Sequence, residues 1–393
     1  MFTVITPSEW PAAPKMWHFS LLKEIETCPK QWALTSAEYP NLWDGHGYPP
    51  MANPRALAGQ TVHATVSSVC NALSEAGCSH LSDVEVIQVL RKMGGFTAIL
   101  TETIDRILDR QRSNPRMGHL IERFRNDLVQ DIPAMRQQVQ RHLNRISLIP
   151  RASSLTGAPH GGKLWGGSYH ELRLRDDSVS FVGIVDLLQI ENRRCTIWEF
   201  KTGVPSDQHS EQLRTYALLW AADKERNPDG IPVSRMLLSY DDHVEDVAPP
   251  DPDTLSSLRV DLLKRREAAL AAVSSTPPVA NPVPEHCRFC SVRQLCSEYW
   301  VARMKWQEEG DGTWVDIEVK VGASRGPRSW DALVVAATGI PKETPVVLVL
   351  AQTISHTVLQ KGMHVRLLNV RQGETEGVIT VGISATTEVF GID

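Results

Sequence analysis

Two consecutive strand-like runs constrain this chain more than any other stretch. Residues 180–190, Ser-Phe-Val-Gly-Ile-Val-Asp-Leu-Leu-Gln-Ile, are almost wholly apolar. A run of this length and composition reads as a strand covered on both faces. Four polar residues, Glu191 to Arg194, separate it from a second run, Cys195 to Phe200. With Asn192 and Arg193 at the centre of a tight turn, the residue numbers of facing pairs add to 385. Asp186 then lies opposite Glu199, with Cβ atoms roughly 5 Å apart. Side chains alternate along a strand, so Glu199 and Lys201 share one face while Trp198 and Phe200 take the other. Two carboxylates and a lysine gather on one side of an apolar sheet. Such acids are costly together unless a cation lies between them. Either Lys201 neutralises one acid in a salt-bridged hairpin, or a divalent ion with oxygen ligands occupies the site.

Upstream, Ser20 is a candidate N-cap for a helix whose apolar stripe is Leu21, Leu22 and Ile25. Cys28-Pro29 ends that helix, and Pro29 suits the first turn of the next. Residues 39–58 are rich in Pro, Gly and Asn and read as a loop, after which Ala58 to Val66 begins a helix bearing His63. Residues 81–148 carry helical periodicity, with Ile104, Ile107 and Leu108 and then Leu120, Ile121, Phe124 and Leu128 as apolar positions. Residues 101–151 hold ten arginines against six acids. Arg106, Arg110, Arg123, Arg125, Arg136, Arg141 and Arg145 could form a basic face for phosphate contact; paired singly, each belongs to a solvated helix surface. The Gly-rich residues 156–167 lead to an alternating strand, 168–175, that carries Glu171 towards the side of Asp186. A helix over 208–222 places Gln212 and Tyr216 on one face, four residues apart. A strand at 237–240, a helix over 251–272 and a proline-stiffened connector from Ser274 to Pro284 follow.

The connector leads to Cys287-x-x-Cys290-x5-Cys296, a metal-binding spacing. Three thiolates leave a tetrahedral centre one ligand short; His286 or Cys28 could complete a zinc site, whereas a [4Fe–4S] cluster usually takes four thiolates. Seven cysteines and no secretory signal pattern fit a reducing, cytoplasmic setting with metal chemistry rather than disulfides. Cys70, Cys78 and Cys195 are left as structural thiols.

The string Gly-x-x-Asp186, hairpin, Glu199-Phe-Lys201-Thr-Gly resembles the core of the PD-(D/E)XK nucleases in the RecB-like/AddB-like branch. Ser20-x-Leu-x5-Cys28-Pro-x-x-Trp32 resembles the N-terminal segment of members that carry an iron–sulfur cluster, as does the CRISPR-associated adaptation nuclease. The resemblance covers about residues 16–300. It implies a restriction-endonuclease-like α/β core (residues 1–300) stapled by a [4Fe–4S] cluster on Cys28, Cys287, Cys290 and Cys296, with a helical insertion at about 81–150. It implies that Gly59-x-x-x-His63 supplies an imidazole, beside Asp186 and Glu199, to Mg²⁺ or Mn²⁺. Lys201 would be catalytic, Gln212 and Tyr216 would brace it, and Glu171 is a second-rank acid. Arg123, Arg125, Arg136, Arg141 and Arg145 would contact nucleic acid.

Residues 311–393 change character: Val315–Val321, Ala332–Ala337, Pro345–Ala351, Met363–Val370 and Val378–Ile383 are five short strand-like runs. They suggest a small OB-like barrel. Nine basic against eleven acidic residues from 301 to 393 leave DNA-binding and protein-binding roles equally open for it. The net charge of −5 excludes a general polyanion coat, and no run is apolar enough to span a membrane. The expected activity is metal-dependent deoxyribonuclease action on single-stranded DNA or DNA ends, exonucleolytic rather than endonucleolytic. The rival readings are a nucleic-acid-binding or scaffold subunit working with a helicase or other protein partner, and a zinc-dependent nucleic-acid binder.

Overall fold

The computed structural model describes residues 2–43, 46–149, 162–306, 314–352 and 359–392; most of the Gly-rich 156–167 stretch lies outside the described residues. In chain order the elements begin with β1 (Phe2–Thr3), α1 (Phe19–Thr27), α2 (Pro29–Ser36), α3 (Pro54–Glu75), α4 (Val84–Lys92), α5 (Gly95–Asp109), α6 (Ile121–Gln130) and α7 (Ile132–Asn144). Then come β2 (Gly167–Asp176), β3 (Phe181–Glu191), β4 (Arg194–Phe200), α8 (Asp207–Ala222), β5 (Val233–Ser239), β6 (Val244–Val247) and α9 (Pro252–Ala272). The last are α10 (Pro284–Cys287), α11 (Ser297–Arg303), β7 (Trp314–Gly326), β8 (Ser329–Ala337), β9 (Pro345–Leu350), β10 (His364–Thr375), β11 (Val378–Ile383) and β12 (Glu388–Ile392). They form two compact units, neither continuous in sequence: residues 13–23 with 51–271, and residues 1–12 with 24–50 and 272–393.

The first unit is built on a five-stranded sheet, β2-β3-β4-β5-β6. Neighbours are antiparallel except β4 and β5, which run parallel. A parallel pair needs a crossover, and α8 supplies it. The β3–β4 hairpin takes the expected register: Leu187 faces Trp198 and Glu191 faces Arg194. Asn192 and Arg193 have φ of 48° and 59°, the left-handed pair that a two-residue turn requires. One sheet face contributes Leu187, Trp198, Phe200 and Leu237 to a core shared with α3 to α7. Ile104, Leu108, Leu120, Ile121, Phe124 and Leu128 are all buried in it, each stabilising by roughly 1.5–3 kcal/mol relative to exposure. The long α3 begins at Pro54, four residues before the sequence reading placed it: Asn53 caps the helix by accepting from the Arg55 N–H, and Pro54 fills the first turn. At α1 the cap is His18, whose Nδ1 accepts from the Leu21 N–H at 3.2 Å; Ser20 lies inside the helix.

In the second unit β7, β8, β9, β11 and β10 follow one another and β10 pairs back onto β7, closing a five-stranded barrel. All pairs are antiparallel but β9–β11. Val319, Val334, Leu348, Val365, Leu367 and Val381 are among the residues that fill it. β12 lies antiparallel to β10, and β1 adds in parallel to β12. A separate apolar cluster joins Cys287, Cys290, Cys296, Tyr299 and Trp300 to Ala336, Leu368 and Phe390. Arg293, between the second and third of those cysteines, donates its Nε to Asp316 at 2.6 Å, and Tyr299 donates its hydroxyl to the same carboxylate at 2.6 Å. Burial pushes the Asp316 carboxyl up, but the charges of Arg293 and Arg303 and the hydrogen bonds from Arg293 and Tyr299 outweigh it and hold the group below its ordinary value.

Candidate active site

The hairpin ladder ends at Leu187–Trp198. Beyond it β4 continues against β5, with Glu199 beside Leu238 and Phe200 beside Ser239. The Phe200 N–H is therefore free to turn to a side chain: it donates to Asp186 Oδ2 at 2.7 Å. The two strands thus fork at the acids, and the fork holds the chemistry.

Glu199 is buried, and burial together with the Asp186 charge pushes its carboxyl up to about 8, while Lys201 pulls it down. Lys201 Nζ donates to Glu199 Oε1 at 2.8 Å and to Gln212 Oε1 at 2.9 Å. Gln212 Nε2 in turn donates to the Tyr216 hydroxyl at 2.6 Å. One face of α8 therefore fixes the ammonium through a relay of two hydrogen bonds, and the spacing of four residues between Gln212 and Tyr216 is what puts both on that face. Burial, then the Glu199 charge, raises the Tyr216 hydroxyl, so it stays protonated.

Two glycines make the approach possible. A Cβ on Gly183 would lie 2.7 Å from Tyr216 Cε1 and 2.9 Å from Leu219 Cδ1, so only glycine lets α8 come this close to β3. A Cβ on Gly59 would lie 2.6 Å from Thr202 Oγ1, which lets α3 lie against the end of β4. One turn further along α3, His63 Nδ1 stands 3.6 Å from Asp186 Oδ2. Another turn on, Ser67 Oγ donates to Glu171 Oε1 at 3.2 Å. Sequence reasoning missed Ser67, though its position four residues after His63 was the available signal.

Glu171 occupies the β2 position that the register sets opposite Asp186, with His170 facing Leu187 and Leu172 facing Val185. Its φ of 49° is unusual for a non-glycine in a strand, and strain of this kind gathers at functional sites. Burial and then the Asp186 charge raise its carboxyl. His63, Glu171 and Asp186 line one groove of about 960 Å³.

The basic residues fare differently. Arg125 Nε donates to Asp105 at 2.7 Å and Arg141 Nε to Asp241 at 3.0 Å. Arg145 reaches Ser239 Oγ and the carbonyls of Tyr240, Asp241 and His243. Arg123 stands 3.9 Å from Asp127, and Arg136 is exposed on α7.

Among the described residues no three His, Cys, Asp or Glu side chains are grouped so as to hold a metal ion as they stand. The acid cluster nonetheless has the character of a cation site: Glu199 Oε2 is buried without a hydrogen-bond partner, and the Asp186 charge destabilises the ionised Glu199.

In the second unit Cys28, Cys287, Cys290 and Cys296, all buried, line a single cavity with His286. Cys28 sits at the N-cap of α2 with Pro29 after it, and its Sγ accepts from the Asn281 N–H at 3.5 Å. His286 Nε2 lies 2.7 Å from the Asn281 carbonyl oxygen. Burial pushes the Cys290 thiol up to about 12, and the neighbouring thiols Cys287, Cys28 and Cys296 add to it; burial likewise raises Cys296 to about 11. Cys70, Cys78 and Cys195 are buried, and none of them lines this cavity.

Among solved structures, this chain is similar to the OB domain of MM0293 from Methanosarcina mazei at 16% identity, over 21% of this chain and 74% of that one, with a TM-score of 0.17. It is similar to SSO0001 at 14% identity, over 51% and 97%, with a TM-score of 0.25. It is similar to a murine DNA binding protein bound with double-stranded DNA at 11% identity, over 57% and 94%, with a TM-score of 0.19. Scores this low carry no weight for fold or function. No curated protein matches the chain. The family model of the PD-(D/E)XK nuclease superfamily matches residues 17–297, which takes in the forked hairpin, the Glu199-x-Lys201 pair and the helices that brace them. The chain belongs to the PD-(D/E)XK nuclease superfamily.

Proposed function

We propose that this protein is a metal-dependent deoxyribonuclease of the RecB-like branch, acting on single-stranded DNA or DNA ends, by exonucleolytic rather than endonucleolytic cleavage. The observation that carries the reading is the position of Lys201, held between Glu199 and Gln212 at the fork where Asp186 and His63 meet. Superfamily members typically use Mg²⁺ or Mn²⁺, and here Asp186, Glu199 and His63 would hold it, with Glu171 behind them. Such an ion supplies Lewis-acid stabilisation of the charge on the scissile phosphate. Ionised Glu199 and Asp186 are the form that binds it, so occupancy favours higher pH. Lys201, already oriented by two acceptors, is placed to position the attacking water and to offset negative charge as it develops on phosphate oxygens. Gln212 and Tyr216 act on the reaction through Lys201.

The reading of a [4Fe–4S] cluster on Cys28, Cys287, Cys290 and Cys296 is supported by the lining of one cavity by all four and by the mutual destabilisation of the thiols, which a cationic centre would relieve. The barrel, whose strands close in the order first, second, third, fifth, fourth, reads as OB-like. The test is Mn²⁺-dependent digestion of end-labelled single-stranded DNA by anaerobically purified protein. Lys201→Ala and Asp186→Ala should each abolish digestion while circular dichroism and iron content stay unchanged; digestion surviving in either variant refutes the assignment. Cys290→Ser should lower iron content, and a zinc-loaded, iron-free wild type refutes the cluster.

A further inference from the structure

We propose that the groove running from the acid cluster along α3 seats one nucleic-acid strand, with Arg106 and Arg110 as the clamps on its phosphates; this deepens the nuclease reading and rests on it. The face of α3 that lines the groove carries residues at alternate steps of three and one, from Ala56 through His63 to Glu75. Most are small or uncharged, such as Gly59, Ala64, Ser68 and Asn71, so the helix leaves room beside it and offers hydrogen-bonding groups without bulk. The opposite wall comes from α5 and its C-terminus, where Arg106, Ile107 and Arg110 line the same groove as Asp186 and Glu171.

Arg106 and Arg110 are four residues apart and exposed, and among the described residues neither has an ion-pair partner. Two of the acids on the same helical stretch are committed elsewhere: Asp105 to Arg125, and Asp109 to Arg112. Their guanidinium groups are thus available to an incoming anion. One helical turn separates them by about 5–6 Å, comparable with the spacing of neighbouring phosphates on an extended strand. A clamp of this kind on one wall and the acid cluster on the floor sets a phosphodiester at the fork while the next phosphates are gripped. A duplex fits poorly, because its two backbones stand on either side of grooves up to ~12 Å wide, and the charge available to grip phosphates lies on one wall only. Among the described residues the groove lining includes no Phe, Tyr or Trp on which a base could stack, so recognition is of the backbone and insensitive to sequence.

The test is fluorescence anisotropy of a labelled 12-nucleotide single strand in Ca²⁺, titrated over a salt series, with wild-type cleavage in Mn²⁺ measured separately. Arg106→Gln/Arg110→Gln should weaken binding by about tenfold and flatten the log–log salt slope by roughly 1.4, the contribution of two single-strand phosphate contacts. Arg106→Lys/Arg110→Lys should restore most of the slope, which a merely structural role would not do. Lys224→Gln/Lys264→Gln, at exposed positions outside the groove lining, should leave both quantities unchanged. An unaltered slope in the Arg106→Gln/Arg110→Gln variant overturns the proposal, as does an equal loss in the Lys224/Lys264 variant. Duplex of the same length binding as tightly as the single strand also overturns it. Absence of wild-type cleavage would sink the nuclease reading, and the binding slopes would still decide this one.

Discussion

Gly183→Ala is the substitution that most directly tests how the site is held. The added Cβ would lie 2.7 Å from Tyr216 Cε1 and 2.9 Å from Leu219 Cδ1. Both contacts are well inside ordinary van der Waals separation of about 3.5–4 Å, so the ring or the whole of α8 must retreat by several tenths of an ångström or more. Overpacking of a buried interface of this kind costs about 1–3 kcal/mol. The catalytic consequence is larger than the stability loss, because the ring that moves is one end of the relay Tyr216–Gln212–Lys201. A misplacement approaching 1 Å at a positioned group costs on the order of 100-fold in rate. The assay pairs urea unfolding with the rate of Mn²⁺-dependent cleavage in Gly183→Ala, Tyr216→Ala and the double variant. Adding the methyl to the Tyr216→Ala background should cost much less stability than adding it to the wild type, a coupling of about 1 kcal/mol or more. A Gly183→Ala protein with wild-type stability and rate would refute the claim that this glycine exists to admit the tyrosine.

Glu199 is pushed from an ordinary 4.5 up to about 8 in the folded protein, so the fold binds its proton more tightly than the unfolded chain does. Its contribution is fully present below about pH 4.5 and lost as pH rises through 8, with roughly 3 kcal/mol disappearing between about pH 5.5 and 8.5 in chelator. Glu199→Gln should remove that slope, read as the shift in urea midpoint; equal slopes in the two proteins would place the proton elsewhere. Arg293→Met removes the closest cation from the buried Asp316 and should cost about 3–5 kcal/mol in urea unfolding; an unchanged midpoint would show that Arg303 alone suffices to hold the carboxylate. Tyr216→Phe keeps the ring that Gly183 admits and deletes only the acceptor for Gln212, so it should lower the cleavage rate with little change in unfolding midpoint.

The hairpin was legible in the sequence because its determinants are local. A two-residue loop fixes which residues face each other, and the alternation of side chains then decides that Glu199 and Lys201 turn away from Trp198 and Phe200. That Gln212 and Tyr216 lie on one face of α8 was legible for a similar reason, since residues four apart on a helix share a face whatever the helix packs against. The start of α3 was also written locally, in Asn53-Pro54, but was read four residues late because the apolar pattern begins later than the cap. What could not be read was why Gly59 and Gly183 are glycines: each answers to an atom remote in the chain, Thr202 or Tyr216. β12 escaped notice because it is short, and its partner β1 is a two-residue strand from the other end of the chain.

The arginines mark the deeper limit, because composition counts charges whereas a phosphate meets only the charges that are unspent. Residues 101–151 carry a net excess of four positive charges, and nothing in their periodicity separates one arginine from another. The fold makes that separation. Arg125 and Arg141 face carboxylates from other elements, and Arg145 is consumed by Ser239 and by the carbonyls of the turn after β5. These interactions tie α6 to α5 and α7 to the end of β5 and the turn after it, and leave those guanidinium groups little to offer a ligand. Arg106 and Arg110 do no such structural work among the described residues, and they line the groove that also holds His63, Glu171 and Asp186. Where a basic helical segment serves both to build a fold and to grip an anion, the pairing pattern assigns the two duties.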